Sequence, residues 1–70
     1  MELTLEDALR RAQDLLDRKD LRVREDGAAL AADVASQPGA RSALSGLLGR
    51  MRADAHPPVR AACALALARC

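Results

Sequence analysis

Hydrophobic residues recur every three or four positions in the first three stretches of the chain, with polar residues between them. The first stretch, about residues 5–18, has an apolar stripe formed by Leu5, Ala8, Leu9, Ala12, Leu15 and Leu16. The second, about residues 20–37, has the stripe Val23, Gly27, Leu30, Ala31 and Val34. The third begins at residue 40 and has the stripe Ala40, Ala43, Leu44, Leu47, Leu48 and Met51. This spacing places each stripe on one face of a helix, so the pattern predicts three amphipathic α-helices.

The fourth stretch is apolar on nearly every side. Its main stripe consists of Val59, Cys63, Ala66, Leu67 and Cys70, and alanines and Leu65 occupy the remaining sides. The residue before a proline disfavours helical dihedrals, so we expect Pro57 to lie outside this helix and Pro58 to begin it. A helix without a polar face is normally covered on more than one side. We therefore expect this helix to need a neighbour in addition to the other three.

Residues typical of helix ends support these boundaries. Thr4 and Asp20 are expected to be N-caps, and Leu3 could pack against Ala8 as a small hydrophobic staple. The segment Gln37-Pro38-Gly39 is expected to end the second helix. Gly27 costs about 1 kcal/mol relative to alanine inside a helix. Its position on the apolar stripe predicts a close approach by a neighbouring helix.

The four helices repeat as two pairs. The apolar stripes of the first and third helices superpose with an offset of 35 residues, and those of the second and fourth with an offset of 36. The difference of one residue falls in the turn inside each pair, where an insertion is tolerated. A repeat of this length is typical of an α-solenoid. The predicted fold is all-α, with one repeat over residues 1–37 and a second over residues 38–70.

Composition agrees with this fold and narrows the function. Half of the residues are apolar but none is aromatic, so leucine and alanine, which favour helices, must form the core. The net charge of +1 and the mixing of arginines with acids do not favour nucleic-acid binding. Stacking platforms for bases are also missing.

The segment DAHPPVRAACALALA resembles the second half of a HEAT repeat. The match is carried by Asp54, Pro57, Val59, Arg60, Ala62, Ala64 and Leu65. The segment LRVREDGAALAADVA resembles a more diverged copy, in which Val23 and Arg24 match but Leu21 stands where the proline is expected. The resemblance implies a right-handed stack of antiparallel helix pairs, an α-solenoid fragment. In such a stack the second helices line a concave surface on which partner proteins commonly bind.

The resemblance also implies roles for four residues. Arg24 and Arg60 would stand on successive second helices, where the corresponding arginine often pairs with an aspartate of a neighbouring turn and forms a ladder. Asp20 and Asp54 are the candidate acids, although Asp20 lies two residues nearer its arginine than the consensus places it. Direct contact of these arginines with a ligand is the alternative.

No arrangement of residues for catalysis is visible in the sequence. His56 is the only histidine, and its place before Pro57 in a turn predicts an exposed surface residue. Cys63 and Cys70 lie about 10 Å apart along one helix, beyond the ~7 Å limit between the Cα atoms of a disulfide. Without histidines beside them they do not form a zinc site, and we expect both to be buried thiols. The paired acids Glu25-Asp26 are interpreted as solubilising residues.

The sequence therefore predicts a non-catalytic protein–protein interaction or scaffold module with no cofactor and no metal. Its partner would be another protein or further repeats, with this chain as the N-terminal part of a longer solenoid. A small protein that self-assembles through its last helix is the alternative, and a HEAT-like enzyme subunit such as a bilin lyase is a weaker one. The beginning of the chain does not resemble a signal peptide, and the longest apolar run is Ala61 to Ala68, so we expect a cytoplasmic location and no membrane span.

Overall fold

The computed structural model describes residues 4–70. Within this range the chain forms four α-helices and no strand: α1 (Leu5–Leu16), α2 (Leu21–Val34), α3 (Ala40–Arg52) and α4 (Pro57–Arg69). The all-α prediction is confirmed. The expected staple between Leu3 and Ala8 lies outside the described residues.

The beginnings of α1 and α2 follow the sequence prediction. The side-chain oxygen of Thr4 accepts a hydrogen bond from the N–H of Asp7 at 3.1 Å, and Asp20 accepts one from the N–H of Arg22 at 2.9 Å. Both caps satisfy donors that the first turn of a helix leaves without partners. α3 follows Gly39, whose φ of 79° lies in the left-handed region that glycine adopts without strain.

The start predicted for α4 is wrong by one residue. α4 begins at Pro57, so both prolines lie in its first turn. The first N–H groups of a helix have no intrahelical acceptor, and two prolines there cost no hydrogen bond. The preference of a pre-proline residue for extended backbone is outweighed at this position.

All four helices contribute residues to one hydrophobic core. α2 packs against α1 on one side and α4 on the other, and α3 packs mainly against α4. The largest fully buried side chains are Leu44, Met51 and Val59. Around them the core is built largely of alanine: Ala8, Ala12, Ala28, Ala31, Ala32, Ala35, Ala40 and Ala66. Helices with such small side chains can approach closely.

Gly27 is the clearest case of close approach, and it confirms the prediction made for it. A Cβ atom at this position would lie 2.8 Å from Leu15 Cβ, 2.9 Å from the carbonyl oxygen of Ala12 and 3.1 Å from the backbone nitrogen of Leu16. Real Cβ atoms essentially never show contacts below 3.0 Å. Only glycine lets the backbones of α1 and α2 come this close.

Three residues assigned to apolar stripes are exposed instead: Ala43, Leu67 and Cys70. In contrast, Ala28, Ala32 and Ala35 of the second stretch are buried although they lie off its predicted stripe. The reason is that α2 is covered from two directions, so its buried surface is wider than one stripe. The end of α4 is covered from fewer directions than its composition led us to expect.

No helix within residues 4–70 combines the length and the apolar character that crossing a bilayer requires.

Candidate functional site

An ion pair joins the two helix pairs at the turn between α3 and α4. The guanidinium of Arg24, on α2, donates to the carboxylate of Asp54 in that turn. The side chains are 22% and 11% exposed, so water screens this pair less than a surface pair. Asp54 also accepts a hydrogen bond from the N–H of His56 at 2.8 Å. The Arg24 hydrogen bond, and after it the His56 N–H, lower the pKa of Asp54 against the opposing effect of burial.

Arg60 approaches the same turn from α4. Its Nη1 donates to the carbonyl oxygens of Asp54 at 2.9 Å and Ala55 at 3.0 Å. The structure thus brings Arg24, Asp54 and Arg60 together around one turn. Asp20 lies apart from them, because its carboxylate caps the start of α2. Contact of these arginines with a partner stays a prediction.

His56 is not the exposed turn residue that the sequence predicts. Its side chain is 18% exposed, and its Nε2 lies 2.7 Å from a carboxylate oxygen of Glu25 on α2. Glu25 is therefore more than a solubilising residue. The sequence holds one signal for this contact: Glu25 follows Arg24 directly, and His56 lies two residues after Asp54. When Arg24 contacts Asp54, Glu25 and His56 are also brought close to each other.

Two further arginines connect the helix pairs away from this turn. Arg50 of α3 donates to the carbonyl oxygen of Leu16 at 3.0 Å and to the carboxylate of Asp17, where α1 ends. Arg69 of α4 donates to the carbonyl oxygen of Ala32 at 3.0 Å, near the end of α2. Both side chains supply donors to helix C-termini, where carbonyl groups lack partners. These contacts add polar interactions to the apolar interface between the two helix pairs.

The two cysteines differ in environment. Cys63 is buried, as expected, and its thiol lies 3.3 Å from the carbonyl oxygen of Leu48. Cys70 is exposed, which corrects the expectation that both are buried; it follows Arg69, the last residue of α4, at the end of that helix. Across residues 4–70, no cluster of three or more histidine, cysteine or carboxylate side chains has a geometry that could hold a metal ion.

The remaining surface of α4 is apolar and largely uncovered. Leu65 and Leu67 are 47% and 50% exposed. They lie two residues apart and therefore point to different sides of the helix. Ala61, Ala64 and Ala68 are exposed as well. α4 thus presents an apolar surface that its contacts with α2 and α3 leave open.

On the Leu67 side this surface continues into a groove between α3 and α4. The groove has a volume of about 260 Å³ and is lined by Arg41, Ser45, Leu48, Gly49, Arg52, Cys63 and Leu67. We refer to these seven residues as the α3–α4 groove. Its apolar floor and arginine rim make it a candidate binding site.

Comparisons with protein-family models, curated proteins and solved structures find no match to this chain. The resemblance to HEAT repeats therefore stays a prediction based on the residues that carry it.

Proposed function

We propose that this chain is a non-catalytic protein–protein interaction module, built of two HEAT-like helix pairs and working as part of a larger α-solenoid scaffold. One observation carries the proposal. Ala28, Ala31 and Ala32 of α2 are buried, and α2 packs against both α1 and α4. Their counterparts 36 residues later, Ala64, Leu67 and Ala68 of α4, are exposed. The repeat thus contains one covered face and one uncovered copy of it.

The polar contacts between the pairs support a scaffold role. Arg24 with Asp54, Glu25 with His56, and Arg50 with the end of α1 connect the two pairs at separate places. Such contacts fix the orientation of a small, alanine-rich interface that apolar burial alone would define weakly. In this proposal Arg24 and Asp54 form one rung of a ladder, and Arg60 would pair with an acid of the following helix pair. A cytoplasmic location belongs to the same proposal, because free cysteines are typical of a reducing compartment.

Self-assembly through α4 is the second candidate, and it rests on the same exposed leucines. It predicts a dimer of defined mass, whereas the module proposal predicts capture of a different protein. Light scattering coupled to size-exclusion chromatography separates the two.

The proposal is tested by comparing proteins captured from the organism that encodes the chain. The bait is the wild-type chain, a variant carrying Leu65→Gln and Leu67→Gln, or the control Leu21→Gln. Leu21 is 48% exposed at the start of α2, so the control removes a leucine of matched exposure from another surface. We expect a partner retained by wild type and by the control but lost with the α4 variant. Absence of any protein that depends on the α4 leucines would refute an interaction role for this surface.

A further inference from the structure

The α3–α4 groove combines an apolar floor with basic side chains at its rim. Leu48 and Cys63 form its floor and are 6% and 3% exposed, while Leu67 stands beside them half exposed. Arg41 and Arg52 lie eleven residues apart on α3, about 16 Å or three helical turns along its axis. The groove is therefore an apolar strip about three turns long with a cation near each end.

In the first helix pair, the second helix is covered by a further helix. α2 packs against α4 as well as against α1, and the buried residues of α4 are small and apolar: Val59, Cys63 and Ala66. The preceding turn supplies the carboxylate of Asp54 to Arg24. The internal repeat thus identifies a helix, with an acid beside its apolar residues, as the element that fits.

The charges at the groove decide which helix fits. Where the two helix pairs meet, the carboxylate of Asp17 forms an ion pair with Arg50 of the second pair. The position equivalent to Asp17, 35 residues later, is Arg52, and the position equivalent to Glu6 is Arg41. The charge at these two positions is therefore negative in the first repeat and positive in the second. A second copy presenting α3 in the same way would bring Arg50 against Arg52, and like charges in contact oppose association.

The arginines of the rim are not neutralised by acids of the described part of the chain. Within residues 4–70, neither Arg41 nor Arg52 belongs to an ion pair. All seven residues that line the groove are basic, neutral or apolar. A partner with carboxylates at the two ends of its apolar stripe would satisfy both cations.

We propose that the α3–α4 groove binds an amphipathic α-helix of a partner protein, whose leucine- and alanine-rich stripe is flanked by acidic residues about three turns apart. This inference deepens the proposed function and rests on it. Leu67 and the floor residues would bury the stripe, and Arg41 and Arg52 would select for carboxylates. Salt bridges at an interface rim act mainly on specificity and on the rate of association.

The probe is a synthetic 16-residue peptide with a leucine and alanine stripe, two glutamates eleven residues apart and one tryptophan on its outer side. A hydrocarbon staple holds it helical, because isolated helices of this length are marginal in water. A matched peptide carries lysines in place of the glutamates. The chain contains no Trp, Tyr or Phe, so tryptophan fluorescence reports the peptide alone. Titrations use wild type, Leu67→Gln, and Leu65→Gln as a control of nearly equal exposure on the same helix.

We expect the glutamate peptide to bind wild type roughly two- to thirtyfold more tightly than the lysine peptide, with the ratio falling at high salt. Leu67→Gln should weaken binding by about fivefold or more, and Leu65→Gln by less than about twofold. Arg41→Gln combined with Arg52→Gln should abolish the preference for glutamate.

Several results would overturn the inference. They are equal binding of the two peptides, failure of both to bind at millimolar concentration, or a loss that follows Leu65 instead of Leu67. A wild-type dimer that Leu67→Gln dissolves would show that a second copy occupies the groove. The proposed function fails separately, because it requires a captured partner that depends on α4. If such a partner depends on Leu65 alone, the interaction module stands and the groove inference is wrong.

Discussion

Replacing Gly27 with alanine is the sharpest test of how α1 and α2 pack. The added methyl group would meet Leu15 Cβ at 2.8 Å and the Ala12 carbonyl oxygen at 2.9 Å. The third neighbour, the Leu16 nitrogen, lies at 3.1 Å. The Ala12 oxygen and the Leu16 nitrogen belong to the backbone of α1, and Leu15 Cβ is the first atom of its side chain. None can move away by a rotamer change, so the two helices must separate to accept the methyl group.

The expected cost follows from two opposing terms. Overpacking a core costs about 1–3 kcal/mol. The rigid neighbours of Gly27 place it in the upper half of that range. Alanine returns about 1 kcal/mol through its higher helix propensity. The net loss in the free energy of unfolding is about 1–2 kcal/mol. For a domain of this size, it corresponds to a fall in Tm of roughly 4–16 °C.

Gly46→Ala is the matched control. Gly46 also lies inside a helix, but no atom lies within 4 Å of the position its Cβ would take. The same chemical change should therefore stabilise the chain by up to about 1 kcal/mol. The assay is thermal and urea unfolding followed by circular dichroism at 222 nm. A Gly27→Ala protein whose Tm rises as much as that of Gly46→Ala would refute the close contact between α1 and α2.

Three further predictions concern the turn between α3 and α4 and the two thiols. Because Arg24 and the His56 N–H hold the pKa of Asp54 below its ordinary value of 3.8, Asp54 stabilises the fold above that value and stops doing so as pH falls through its lower folded value. Urea midpoints of wild type and Asp54→Asn should therefore differ at pH 6 and converge in strong acid; a difference independent of pH would contradict this. Arg24→Ala should lose about 1–2 kcal/mol, because it leaves a nearly buried carboxylate without its cation, and Arg60→Ala less than about 1 kcal/mol; equal losses in urea unfolding would argue against the pairing described. In the native protein, mass spectrometry after brief alkylation should find Cys70 modified well before Cys63, since only Cys70 is exposed, and equal rates would show that the groove floor is open.

The helices could be predicted from sequence because their signals are local. The spacing of leucine and alanine sets the helical period, and Thr4 and Asp20 mark two beginnings through their own side chains. The close contact at Gly27 was also predictable, because a glycine on the apolar stripe of a helix commonly marks the point where a second helix packs closely. The signal for each of these features lies within a single helix, even where the contact it predicts, as at Gly27, joins two helices.

Several of the errors concern the packing of the two helix pairs against each other. Alanine is compatible with either a buried or an exposed position, so Ala28, Ala32 and Ala43 carried no signal of the direction from which α2 and α3 are covered. The contact between Glu25 and His56 depends on the register of one pair against the other, which hydrophobic periodicity does not encode. The candidate groove likewise depends on which side of α4 stays open. Such features require the tertiary arrangement itself.

The proposed function depends above all on the open surface of α4 as a binding surface for another protein. Quantitative capture from cells tests it with wild type, with Leu65→Gln and Leu67→Gln combined, and with Leu21→Gln as the control. We expect a partner that wild type and the Leu21 variant hold and that the α4 variant loses, while all three proteins unfold at similar urea concentrations. Equal capture by all three proteins would contradict a binding role for α4.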